Sequence, residues 1–125
     1  MDTARGVEMI LGMLSDAQFG PLIVVGGGGI YTEILADVRV LLPPFDAATV
    51  ARALQELTMA TVLDGIRGRS TVDVDSYCRA AAQLSVLAVE FSDLISELDI
   101  NPLKITGNGC QGLDALVIKR AIGET

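Results

Sequence analysis

Near the end of the chain, the stretch "SELDINPLKI" (96–105) alternates Glu97, Asp99 and Asn101 with Leu98 and Ile100, then reaches Pro102. Strand side chains repeat with period two, so an extended segment here sends three oxygen-bearing groups to one side and the aliphatics to the other. Proline lacks the N–H a ladder needs, and the strand is expected to stop there. A Gly-Asn-Gly turn at 107–109 would fold "GLDALVIKR" back onto residues 97–102 and bring Asp114 close to Asp99 and Asn101. Oxygen donors on neighbouring strands suit Mg²⁺, which takes one or two carboxylates and keeps waters and substrate phosphates as its other ligands. A solvent-facing strand with ordinary surface acids fits the same spacing, and both readings stand at this point.

A second feature is the run Gly26, Gly27, Gly28, Gly29, directly after "LIVV". Glycine backbone can approach a phosphate closely and form an anion-binding concavity. The run has neither the G-K-[ST] ending of a P-loop nor a G-x-G-x-x-G spacing, so a plain strand-to-strand turn fits equally.

The elements that must hold these residues follow from pattern. "VEMILGML" (7–14) reads as a strand, although Met and Leu suit a helix as well; "DAQFGP" is a turn, and "LIVV" (22–25) is a buried strand. A third strand is expected over 33–42, stopped by Pro43 and Pro44. Asp46 is placed as an N-cap for an amphipathic helix over 46–63, with Val50, Ala53, Leu54 and Leu57 at helical spacing and Gly65 beyond its end. A second helix over 74–92 would bury Tyr77, Ala80, Ala81, Leu84, Leu87 and Ala88. The order β, β, β, α, α, β, β predicts one α+β domain over 1–125: a mainly antiparallel sheet with two helices packed on one face.

Composition narrows the chemistry. The 125 residues carry 16 acids against 9 bases and no histidine. A net charge of −7 with scattered bases argues against a nucleic-acid or anionic-membrane surface. Without histidine the chain alone builds no Ser-His or Cys-His hydrolase, and any histidine chemistry must come from another chain or domain. Cys78 and Cys110 show no zinc-site spacing and are expected as reduced thiols of a cytoplasmic protein; no apolar run is long enough to cross a bilayer.

Taken together, "GVEMILGMLSDAQFGPLIVVGGGGIYTEILADV", "LDGIRG" and "ELDINPL" resemble the ATP-grasp domain of the ADP-forming acyl-CoA synthetases, the acetate:CoA ligase (ADP-forming) family related to the succinyl-CoA synthetase β subunit. The likeness covers almost the whole chain in the family's order. It implies the C-terminal subdomain of an ATP-grasp fold and a part in the reaction acid + CoA + ATP = acyl-CoA + ADP + phosphate, which passes through an acyl phosphate and a phosphorylated histidine. On the matching positions it implies Asp99, Asn101 and Asp114 as Mg²⁺ ligands. Glu8, Gly26, Gly28, Gly29 and Glu33 are implied in nucleotide or phosphate binding, and Arg67 and Gly68 match the family's "RG". One departure is Leu41, where the family usually has an arginine; Arg39 lies two residues earlier.

The resemblance also implies partners. The lysine-bearing upstream ATP-grasp half, the CoA-binding domain and the phosphorylated histidine are expected from other domains or a subunit, and an apolar face left by the missing half would favour homo-oligomers. Phosphoryl transfer relies on positioning and charge stabilisation from both walls of a cleft, so the isolated chain is expected to be inactive. The alternative is a non-catalytic regulatory or interaction module of an ATP-grasp-like protein, of the kind fused to protein acetyltransferases.

Overall fold

Val7, Met9, Leu11 and Met13 alternate with Glu8, Ile10, Gly12 and Leu14, and this alternation is realised as a strand: the first set is buried and the second faces the other way. The computed structural model describes residues 7–27, 38–57, 73–106, 109–112 and 115–119, with backbone alone at positions 101, 102 and 111. The elements are β1 (Val7–Asp16), β2 (Gly20–Gly27), β3 (Val38–Leu41), α1 (Ala47–Gln55), α2 (Val74–Glu90), β4 (Ile95–Thr106), β5 (Gly109–Gly112) and β6 (Ala115–Lys119). They form a six-stranded antiparallel sheet in the order β3-β2-β1-β4, with β5 and β6 both laid along the outer edge of β4. The α+β architecture read from the sequence is therefore observed.

The β1–β2 hairpin turns on Asp16, whose Oδ1 accepts the N–H groups of Gln18 (2.8 Å) and Phe19 (2.9 Å). Gly20 closes the turn at φ 78°, a value that penalises any residue with a Cβ. The third expected strand is found as Val38–Leu41, ending before the prolines; residues 33–37 lie outside the described ones.

Asp46 caps α1 as expected, accepting from the Thr49 N–H and hydroxyl (both 2.9 Å), and these bonds lower its carboxyl pKa. The helix ends at Gln55, earlier than the apolar spacing suggests. Glu56 and Leu57 donate to the carbonyls three residues back, the tight geometry of a last turn. Residues 58–63 lie outside the described ones. Asp73 caps α2 through the Ser76 N–H (3.0 Å), and its own N–H donates to the Thr106 carbonyl, tying the helix start to the end of β4. On the predicted face Tyr77, Ala81 and Ala88 are buried and Leu87 is exposed, while Ser85, a polar residue outside that prediction, is buried. Its hydroxyl takes the Phe45 N–H (3.1 Å) and donates to the Ala82 carbonyl (2.6 Å), which anchors the β3–α1 connection.

Both helices lie on one face. Helix α2 crosses β1, β2, β4 and β5, and α1 packs on α2 and β2. Between the layers Met9, Leu11, Ile23, Val25, Val50, Tyr77 and Ile105 are almost wholly removed from water, each aliphatic contributing about 1.5–3 kcal/mol of transfer free energy. Tyr77 has a polar task too: its hydroxyl donates to the Ile10 carbonyl (2.6 Å) and accepts the Gly26 N–H (3.3 Å), a pair in register across β1 and β2. Burial pushes its pKa well above the usual value, so the group stays protonated in the folded chain.

Tyr77→Phe keeps the ring and leaves a buried carbonyl and N–H short of a partner, so it should cost about 1–3 kcal/mol in urea unfolding. The pH dependence has a definite sign. A folded-state pKa raised above the unfolded value of about 10 makes stability fall as pH rises past about 10, and Tyr77→Phe should remove that increment of alkaline loss.

Candidate functional site

Strand β4 does not stop at Pro102. It runs to Thr106, and the proline sits at a bulge: Leu11 faces Ile100 and Met9 faces Leu103, so Ile10 alone opposes Asn101 and Pro102. A bulge is where an interior strand can accept a residue without an N–H. The extra residue also reverses the alternation. Before it, Glu97 and Asp99 face away from the helices while Leu98 and Ile100 pack toward the core; after it, Leu103 and Ile105 are buried and Lys104 faces out. A second irregularity at Ser96 lets Ile95 join the core as well, so the acidic face of β4 is bracketed by two shifts.

On the face that carries no helix among the described residues (the helix-free face), Gly12 stands opposite Asp99 and Leu14 opposite Glu97. Gly12 makes the floor. A Cβ built there would lie 3.0 Å from the Leu98 carbonyl oxygen and 3.7 Å from Asp99 Oδ1, so the Asp99 carboxylate leans over the glycine onto β1. The result is an open depression of about 210 Å³, with Ile10, Leu14 and Val24 as its apolar bed and Glu97 and Asp99 as its acidic rim. Glu8 lies on the same face, four residues along β1 from Gly12, or about 13 Å at strand rise, and opposite Lys104.

The expected site residues divide accordingly. Asp99 is partly exposed at the depression, and Asn101 is placed by its backbone at the bulge beside it. Asp114 lies outside the described residues. Gly26 belongs to β2, where its N–H is given to Tyr77, so that N–H is not directed at a phosphate. Gly28, Gly29, Glu33, Arg67 and Gly68 lie outside the described residues.

Arg39 does not face this depression; it lies on the helix side of β3, as Leu41 does. It pairs across β2 with Val25 on the helix side, and its guanidinium binds the Glu56 carboxylate (3.2 Å) and carbonyl (3.0 Å) at the end of α1. Leu41, on the same side, packs against the core. Sequence reasoning missed Gly12 and Lys104. The available signal for the first was a glycine inside an alternating strand, a pattern that marks close approach of another group.

The donor chemistry fits Mg²⁺: the described candidate donors are carboxylate oxygens, at least partly open to solvent, over a floor that a single Cβ would fill. No cluster of three His, Cys, Asp or Glu is found among the described residues.

Comparison with known proteins adds the following. An ATP-grasp domain family matches residues 1–118. The chain is 42% identical over 116 residues to a trans-feruloyl-CoA synthase, FCS1, of an unknown prokaryotic organism, covering 90% of this chain and 16% of that protein. It is 34% identical over 113 residues to the β subunit of acetate–CoA ligase (ADP-forming) I of Pyrococcus furiosus, covering 90% and 48%. Among solved structures, acetyl-coenzyme A synthetase 1 of Ca. Korarchaeum cryptofilum, in complex with coenzyme A and Mg-AMPPCP, superposes with a TM-score of 0.83 at 33% identity, covering 92% of this chain and 54% of that one. The chain thus spans between about a sixth and a half of the length of these relatives.

Gly12→Ala is expected to force the β1–β4 seam apart at the Leu98 carbonyl and to cost about 1–3 kcal/mol, measured by urea unfolding. Gly20→Ala, with open space around it, should cost only the backbone strain of its positive φ, about 1 kcal/mol.

Proposed function

Because this chain belongs to the ATP-grasp family, which matches it over residues 1–118, we propose that it forms one wall of the nucleotide site of an ADP-forming acyl-CoA synthetase. The reaction is acid + CoA + ATP giving acyl-CoA, ADP and phosphate. The observation that carries the reading is the Asp99 carboxylate laid over Gly12 on the helix-free face, beside the bulge that sets Asn101.

Asp99, Asn101 and Asp114 would hold Mg²⁺, and the cation would offset negative charge on the nucleotide phosphates. Glu8 lines the nucleotide cleft farther along the same face, and Gly26, Gly28, Gly29 and Glu33 would contribute to nucleotide or phosphate binding. The chain's own contribution is positional. The β1–β4 seam fixes the carboxylate against a packed core, so little reorganisation remains when substrate arrives.

The site is a face and not an enclosed pocket, so the opposite wall must be supplied by the upstream half of the ATP-grasp fold. The CoA-binding part and the phosphorylated histidine are supplied by other domains or a subunit. The similarity to proteins roughly two to six times longer supports this division.

The test is a calorimetric titration of Mg²⁺·ATP into this chain alone, into the chain assembled with the upstream half, and into that assembly carrying Asp99→Ala/Asn101→Ala. Binding should require the assembly, and the variant should weaken it about 10- to 100-fold. A folded, assembled wild type that binds no nucleotide would instead leave an interaction module that keeps the ATP-grasp fold.

A further inference from the structure

The helix-free face has an unbalanced charge. Among the described strand residues it carries Glu8, Glu97, Asp99 and, at the hairpin end of β1, Asp16, and the one basic residue there is Lys104. Arg39 is on the other side of the sheet, committed to Glu56. A nucleotide brings further negative charge to this acidic surface, and a divalent cation offsets only part of the repulsion.

Lys104 owes its position to the bulge. In an unbroken strand it would share the side of Leu98 and Ile100 and point into the core; the extra residue at Asn101–Pro102 turns it outward. It stands directly opposite Glu8, two residues along β1 from Ile10, which itself opposes the bulge. That separation is about 7 Å at strand rise, within reach of a lysine side chain from the Asn101 end of the site. The ion pair among the described residues is Arg39–Glu56, so Lys104 is not locked onto Glu8 and its ammonium has other directions open to it.

We infer that Lys104 is a nucleotide-binding residue, its ammonium meeting a phosphate oxygen of a Mg²⁺-bound nucleotide that lies along the β1–β4 seam between Asp99 and Glu8. This rests on the nucleotide-site reading above. It adds a cation to that wall, on the strand that also carries the metal ligands and on the opposite side of the sheet from Leu41 and Arg39.

The experiment is a calorimetric comparison of Mg²⁺·ADP and adenosine binding to the assembled enzyme, as wild type, Lys104→Met and Lys104→Arg, at low and high ionic strength. Lys104→Met should weaken Mg²⁺·ADP about tenfold and leave adenosine binding unchanged. Lys104→Arg keeps the charge and should recover most of the affinity. The deficit of Lys104→Met should shrink at high salt, where charge contacts are screened. Lys104→Met binding Mg²⁺·ADP as the wild type does would overturn the assignment while the nucleotide site stands. Equal weakening of ADP and adenosine would overturn it in favour of a structural role. A wild type that binds neither would remove the nucleotide site, and this residue's role with it.

Discussion

A proline inside an interior strand leaves β4 a narrow choice. Pro102 has no N–H to give the ladder, and β4 is flanked by β1 on one side and by β5 and β6 on the other, so the strand must either end or bulge. It bulges, and the side-chain pattern on both sides depends on that. Glu97 and Asp99 can face solvent and Leu103 and Ile105 can be fully buried within the same strand because the register shifts between them. Without the shift, one pair or the other would face the wrong medium, and a buried unpaired carboxylate costs far more than an exposed leucine.

The helix layer keeps the other face of the sheet available. Tyr77, Ser85 and Asp73 each satisfy backbone groups that would otherwise be left without partners, and each ties α2 to a different part of the chain: the β1–β2 pair, the β3–α1 connection and the end of β4. Because α2 is held at these points and the aliphatic core fills the space beneath, the packing of both described helices is taken up on one side. Among the described residues the opposite side is left with small and branched residues, several carboxylates and a glycine floor, a surface suited to a second wall.

The division of charge follows from the same layering. Arg39 closes the end of α1 and is therefore unavailable to the acidic face, whereas Lys104 is turned toward it. The family likeness and the geometry meet at β4, where the ELDINPL motif and the bulge coincide. The apolar groove between Leu87, Phe91, Ile95 and Leu98 lies on the helix side of the sheet, apart from this face.

By itself, the sequence determined the elements whose signals are local. Alternation in residues 7–14 and 97–100, the Asp16 turn and the Asp46 cap act over two to four residues, and each is found where its pattern predicts; the Asp73 cap is equally local but was not singled out from the sequence. The ELDINPL motif also pointed to β4 as the strand that matters. Tertiary structure alone decided how β4 passes Pro102, because that depends on Ile10 of a strand some ninety residues earlier. It likewise decided that Gly12 is a floor, that Lys104 faces the carboxylates and that Arg39 does not. These are statements about which side of a sheet a residue occupies. A single register shift reverses that side for every residue beyond it, and the shift is fixed by pairing and burial between segments distant in the chain.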